Sequence, residues 1–132
     1  MKRKSKNEAS FAMSEQAASD AILVLITAGS REEAARLADL LVVSRLAACV
    51  QIMPEMESVY HWKGSVERAA EILLIAKTTR ANFDELESAV RALHSYETPE
   101  IVALPVAAVS APYLEWLTTT VKPHLPLPDQ SE

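Results

Sequence analysis

The sequence predicts an α+β fold, one four-stranded antiparallel sheet carrying two helices on one face, and three observations predict it. "AILVLITA" (21–28) is an unbroken apolar run rich in β-branched residues and too short for a typical helix. Two later stretches repeat apolar residues at helical spacing. Lys63-Gly64-Ser65 parts two strand patterns in the way a hairpin turn does. With 132 residues, 49% of them hydrophobic, the chain fits one domain that can bury a real core.

Each element can be justified in turn. Residues 21–28 read as a strand buried on both faces. In "GSREEAARLADLLVVSRL", Ser30 with Glu33 three residues on makes a capping box, and Ala34, Leu37, Leu41 and Ser44 trace one helical face. Residues 47–79 form a β-hairpin turning at Lys63-Gly64. "RANFDELESAVRALH" places Phe83, Leu86, Val90 and Leu93 on one face of a second helix. "PEIVALPVAAV" is a fourth strand, and Pro105 within it suits an edge position or a bend. Ser110 then caps a short helix with Pro112 in its first turn and Tyr113, Leu114, Leu117 and Val121 on one face. The order βαββαβ, plus a C-terminal helix, is that of a ferredoxin-like sandwich.

The hairpin is too long for this domain. Residues 48–62 in full extension would reach ~50 Å at ~3.3 Å per residue, against a typical strand of ~5–6 residues. Pro54 and the Glu55/Glu57 pair predict a bulge or bend, and Val59, Tyr60 and Trp62 lie near the tip. Aromatic residues on an overhanging arm find a partner surface, so pairing between chains is expected, each arm extending a neighbour's sheet.

Composition excludes several function classes. Lys2, Arg3, Lys4 and Lys6 fall in the first seven residues, and the rest of the chain is strongly acidic, with no basic face for nucleic acid. No apolar run approaches the ~20 residues of a membrane span. The single cysteine, Cys49, leaves no intrachain disulfide and suits a reducing, cytoplasmic compartment. Residues 1–20 read as a disordered tail without the apolar core of a signal peptide, 21–122 as the folded domain, and 123–132 as an extended Pro-rich tail. Enzyme readings find no foothold: Gly29 and Gly64 are too few and too far apart for a phosphate-cradling loop, and no nucleophile has an assignable base.

Six motifs in order, namely the strand ending "TA", "RLAACVQI", "SVYHWKG", "LLIAKTT", "LHSYETPEIVALPV" and "YLEWL", resemble the CutA family of divalent-cation tolerance proteins over about residues 22 to 122. The resemblance implies a ferredoxin-like subunit in a tight homotrimer, similar in architecture to the PII signalling proteins, with hairpin arms and C-terminal helices packed between subunits. It also implies a response to metal ions, with copper or another divalent cation as a possible ligand, and no catalytic activity. In some members a cysteine stands at the position of Ile26 and a second histidine at that of Leu93. Of that proposed copper site, only His94 is carried over.

The end of the first strand, the end of the second helix and the start of the fourth strand share one end of the subunit, so Thr27, His94, Tyr96, Glu97 and Glu100 are expected to converge. Cys49 belongs at the opposite end. The resemblance adds Tyr60, Trp62, Lys77 and Trp116 as lining of intersubunit clefts. Two readings stay open for this stretch: a structural seam, or a pocket for an ion or small ligand, including a PII-like pocket for a small anion with Lys77 as its clamp. His61 reads as a surface or interface imidazole, and His124 as part of the tail.

Overall fold

The computed structural model describes residues 20–123. The elements are β1 (Ala21–Ala28), α1 (Arg31–Val43), β2 (Cys49–Trp62), β3 (Ser65–Thr79), a single 3-10 turn (Arg80–Asn82), α2 (Phe83–Leu93), β4 (Ile101–Pro105) and α3 (Ala111–Thr120). The strands form one antiparallel sheet in the order β2-β3-β1-β4, so the described residues make a mixed α+β structure, with the three helices named above. Among the described residues, no helix is long and apolar enough to cross a membrane. Both predicted tails lie outside the described residues except for Asp20 and Pro123.

Side chains alternate across a strand, and here the alternation separates two unlike faces. On one face Ile22, Val24 and Ile26 of β1 and Ile72, Leu74 and Ala76 of β3 meet Ala34, Leu37 and Leu41 of α1 and Leu86 and Val90 of α2. These are buried almost completely and form the core. Leu93, placed on the inner face of α2 by its spacing, is 41% exposed at the last position of the helix. Leu23, Leu25, Leu73 and Ile75, on the opposite sheet face, are only half-buried, and Val102 and Leu104 are exposed.

Local chemistry fixes the ends of the elements. Ser30 caps α1 by accepting the Glu33 N–H at 3.1 Å, but the Glu33 carboxylate reaches Gly29 rather than completing the predicted box on Ser30. At the other end of α1 the N–H groups of Arg45 and Leu46 bond back to Val42 and Leu41, with Arg45 in the left-handed region at φ 62°. The Arg45 side chain in turn donates to the Thr120 carbonyl, closing the C-terminus of α3. Ser110 precedes α3 in extended conformation without the predicted side-chain cap.

The hairpin turns at Lys63 (φ 49°) and Gly64 (φ 83°), two consecutive positive φ values that match the twist of the strands they join. β3 runs for 15 residues, but β1 accompanies it only from Ile72 to Thr79. The remainder, Ser65–Glu71, pairs with β2 alone and forms an arm beyond the sheet. The register shifts between Ile52 and Glu55, so that Met53 and Pro54 together oppose Leu73. The predicted bulge therefore falls at Pro54. One extra residue exchanges the faces of everything beyond it. Tyr60 and Trp62 thereby come to the same side as Thr27 and Glu71, opposite to the side their numbering relative to Val50 and Ile52 would give.

Candidate functional site

Glu33 is the hub of the end of the sheet where β1 stops. Its side chain is 5% exposed, and its two oxygens accept from the Gly29 N–H at 3.0 Å and from the Ser95 N–H at 2.7 Å. One carboxylate thus ties the loop before α1 to the loop after α2. Burial pushes its pKa up, but the hydrogen bonds from Gly29 and Ser95 outweigh that and hold it below the ordinary glutamate value.

His94 lies beside it with a fully buried side chain. Nε2 donates to the Thr27 carbonyl at 2.6 Å, and Nδ1 accepts the Tyr96 N–H at 3.0 Å. Both ring nitrogens are therefore in use, in the neutral form with its proton on Nε2. Neither nitrogen is left free for the metal-ligand role expected of His94. A metal at either nitrogen would have to break one of these bonds in a place without room for solvent, and the nearest carboxylate oxygen is 3.8 Å from Nδ1 and already committed. Among the described residues no group of three or more His, Cys, Asp or Glu side chains is placed to hold a metal ion. The copper site implied by the resemblance does not fit these residues.

Tyr96, oriented through its own N–H, lays its ring against Gly29: a Cβ there would stand 3.0 Å from the phenol oxygen, close enough that the ring would have to shift by a few tenths of an ångström. The phenol donates to Glu71 Oε2 at 3.0 Å. Burial, the Glu71 hydrogen bond and the Glu71 charge push its pKa up to about 12. Above this layer opens a cavity of about 600 Å³ whose wall includes Thr27, Tyr96, Glu97 and Glu100 from the body and Tyr60, Trp62 and Glu71 from the arm.

Of the residues singled out from the sequence, Thr27, Tyr60, Trp62, Tyr96, Glu97 and Glu100 are thus brought to one cavity, with His94 behind it as a fastener. Lys77 and Trp116 lie elsewhere. Lys77 pairs with Leu23 and Cys49 at the far end of the same sheet face, its Nζ 5.5 Å from the centre of the Tyr113 ring. Trp116 packs on Tyr113 at 5.3 Å. Within one subunit Lys77 cannot clamp a ligand held by Glu97 or Glu100. Cys49 is half-buried at that far end, and His61 is exposed on the arm. His124 lies outside the described residues. Sequence reasoning missed Glu71 altogether and read Glu33 only as a cap. The signal for Glu71 was present, since it is the one acidic residue in "AAEILLIAKTT", on the same strand face as Leu73 and Ile75.

Residues 22–120 match the family model described as CutA1 divalent ion tolerance protein. The chain belongs to the CutA1 family. It is 50% identical over 95 residues to the divalent-cation tolerance protein CutA of Thermus thermophilus, which covers 72% of this chain and 92% of that one. It is 44% identical over 101 residues to rice (Oryza sativa) CutA 1, a protein named as chloroplastic, covering 76% of this chain and 57% of the rice one. A solved structure of a periplasmic CutA from Archaeoglobus fulgidus superposes with a TM-score of 0.75 at 40% identity, covering 77% of this chain and 99% of that one. The CutA1 family is named for a tolerance to divalent ions and for no reaction, and its relatives differ in compartment.

Proposed function

We propose that this CutA1 chain is a non-catalytic, cytoplasmic homotrimer of ferredoxin-like subunits that serves the response to divalent metal ions through its assembled form and not through a copper ion on His94. The observation that carries this reading is the unfinished half of the molecule. Among the described residues, the sheet face with Leu25, Ile75, Val102 and Leu104 is left partly open, and an arm bearing Tyr60 and Trp62 at 42% and 49% exposure stands beyond the sheet. Apolar surface of that kind on a small domain is stabilised by association.

The strand order β2-β3-β1-β4 supports the ferredoxin-like part of the reading, and the family name supports the link to divalent ions. The test is growth at raised copper and zinc of a bacterial strain lacking its own CutA, with and without this chain. Wild type and His94→Gln should restore growth, whereas Leu25→Glu, which charges the open face, should not. Rescue by a Leu25→Glu protein shown to be monomeric would contradict the proposal, as would failure of a stable, trimeric His94→Gln.

A second reading, a PII-like signalling or scaffolding trimer with a small ligand in its clefts, is favoured by the cavity between arm and body. A small anion suits it poorly, since Glu71, Glu97 and Glu100 face the space and Lys77 is at the other end of the sheet.

A further inference from the structure

We infer that His94, Glu33 and Tyr96 form an acid-sensitive switch, in which a proton on His94 Nδ1 breaks the bond from the Tyr96 N–H, turns the imidazole toward Glu33 and loosens Tyr96 from the root of the arm. The groups that switch lie inside one chain. The His94 and Glu33 side chains are 0% and 5% exposed, so the device does not depend on what covers the sheet or the arm.

The first observation is the tautomer that the contacts demand. Nδ1 accepts the Tyr96 N–H at 3.0 Å, which it can do only while it carries no proton. A protonated imidazole donates from both nitrogens, so two N–H groups would then face each other at that distance. Nε2 is a donor in either form, and its 2.6 Å bond to the Thr27 carbonyl is kept as the pivot.

The second observation is a place for the new Nδ1–H to go. Glu33 Oε2 is 3.8 Å away, about 1 Å short of a charge-assisted hydrogen bond. It accepts the Ser95 N–H and, as a carboxylate oxygen, has room for a second donor. A proton needs no further ligands, unlike a metal ion. Glu33, held below its ordinary value, is ionised throughout the range in which histidines take up a proton. The groups set against the ring are Glu33 from α1, the Thr27 carbonyl from β1 and Tyr96 from the loop, whereas Arg91 of α2 is paired with Glu87 at 2.7 Å. Ser95, the next residue, is exposed, which puts the ring one residue from water.

Tyr96 carries the change outward. Its ring centre is 4.8 Å from that of the imidazole, and its phenol donates to Glu71, the last residue of the arm before β1 joins β3. Losing its N–H anchor therefore slackens the strut between body and arm.

The experiment is nuclear magnetic resonance on the full-length, nitrogen-15-labelled protein between about pH 7.5 and 5.5, which brackets the range where histidine changes charge. The His94 ring should pass from one protonated nitrogen to two, and the Tyr96 amide should shift with the same midpoint. Protection of that amide from hydrogen exchange, corrected for the intrinsic rate, should fall about five- to tenfold, as for the loss of one hydrogen bond. In His94→Gln, which keeps a donor for Thr27 and cannot take up a proton, the Tyr96 amide should not respond to pH. A His94 ring that stays singly protonated throughout would overturn the inference, as would a Tyr96 amide that ignores the ring's proton or moves with another midpoint. The same pH response in a folded His94→Gln would overturn it too, and if that variant folds poorly the two wild-type midpoints decide.

Discussion

The end of the sheet around Glu33 and the arm between Glu55 and Glu71 are built from the same two kinds of material, apolar strand and polar loop, yet only the first is complete within one chain. At Glu33 each polar group has a partner: two backbone N–H groups on the carboxylate, a carbonyl and an N–H on the His94 ring. On the arm the backbone ladder of β2 and β3 is satisfied, but Val59, Tyr60, Trp62 and Val66 remain exposed. The difference teaches that the body is specified by its own hydrogen bonds and core, and that the arm awaits something else. Two-stranded ribbons are marginal by themselves, so its persistence depends on what covers it.

The largest expected effect separates the two regions directly. Leu74→Ala, in a side chain with no exposure, should cost ~2–5 kcal/mol and lower the melting temperature by the same amount at every protein concentration. Trp62→Ala should instead show a penalty that depends on concentration, because its ring contributes through association. Equal, concentration-independent losses for both would erase the distinction. Next comes deletion of Pro54. With the bulge gone, Tyr60 and Trp62 keep their partners Glu67 and Ser65 and their side of the arm, but the arm loses the bend and added twist that aim them, and the body should keep its circular dichroism while the assembled mass falls.

A smaller effect tests the Glu33 hub. Glu33→Gln should cost ~1–3 kcal/mol at neutral pH. Because the folded pKa of Glu33 lies below its ordinary value of 4.5, its contribution is complete above that value and is lost as pH falls through the lower, folded pKa. Acid unfolding curves of wild type and variant should therefore converge below pH 4.5; a constant gap would show that the charge is not what matters. The smallest effect is spectroscopic. Tyr96 should ionise near 12 in an ultraviolet titration, its stabilising contribution being complete below pH 10.0 and fading through 12, and Glu71→Gln should bring it down toward 10.0. A phenol titrating at 10.0 in the wild type would deny the Glu71 contact.

How much of this was legible depended on whether the signal was local. The Ser30 cap, the Lys63-Gly64 turn and the apolar run of β1 are decided by neighbours in sequence, and residues 21–28 read correctly to the residue. The bulge was expected from Pro54, but its effect on Tyr60 and Trp62 needs the register of β3, which is a tertiary fact. The convergence of Thr27, Tyr96, Glu97 and Glu100 followed from strand direction alone. The role of His94 did not: a histidine at the end of a helix can face solvent, metal or backbone, and only the positions of Thr27 and Tyr96 decide among them. Lys77 was offered by the resemblance as lining of a cleft between subunits, and within one chain it lies at the other end of the sheet face from the glutamates.

The central claim is that the open sheet face and the arm are completed by further copies of the chain. Multi-angle light scattering at micromolar concentration tests it most directly, on wild type and on Leu25→Glu in parallel. The account predicts a wild-type mass about three times 14.5 kDa and a monomer for the variant. A monodisperse wild-type species at 14.5 kDa, with Trp62 still solvent-accessible to quenchers, would contradict it.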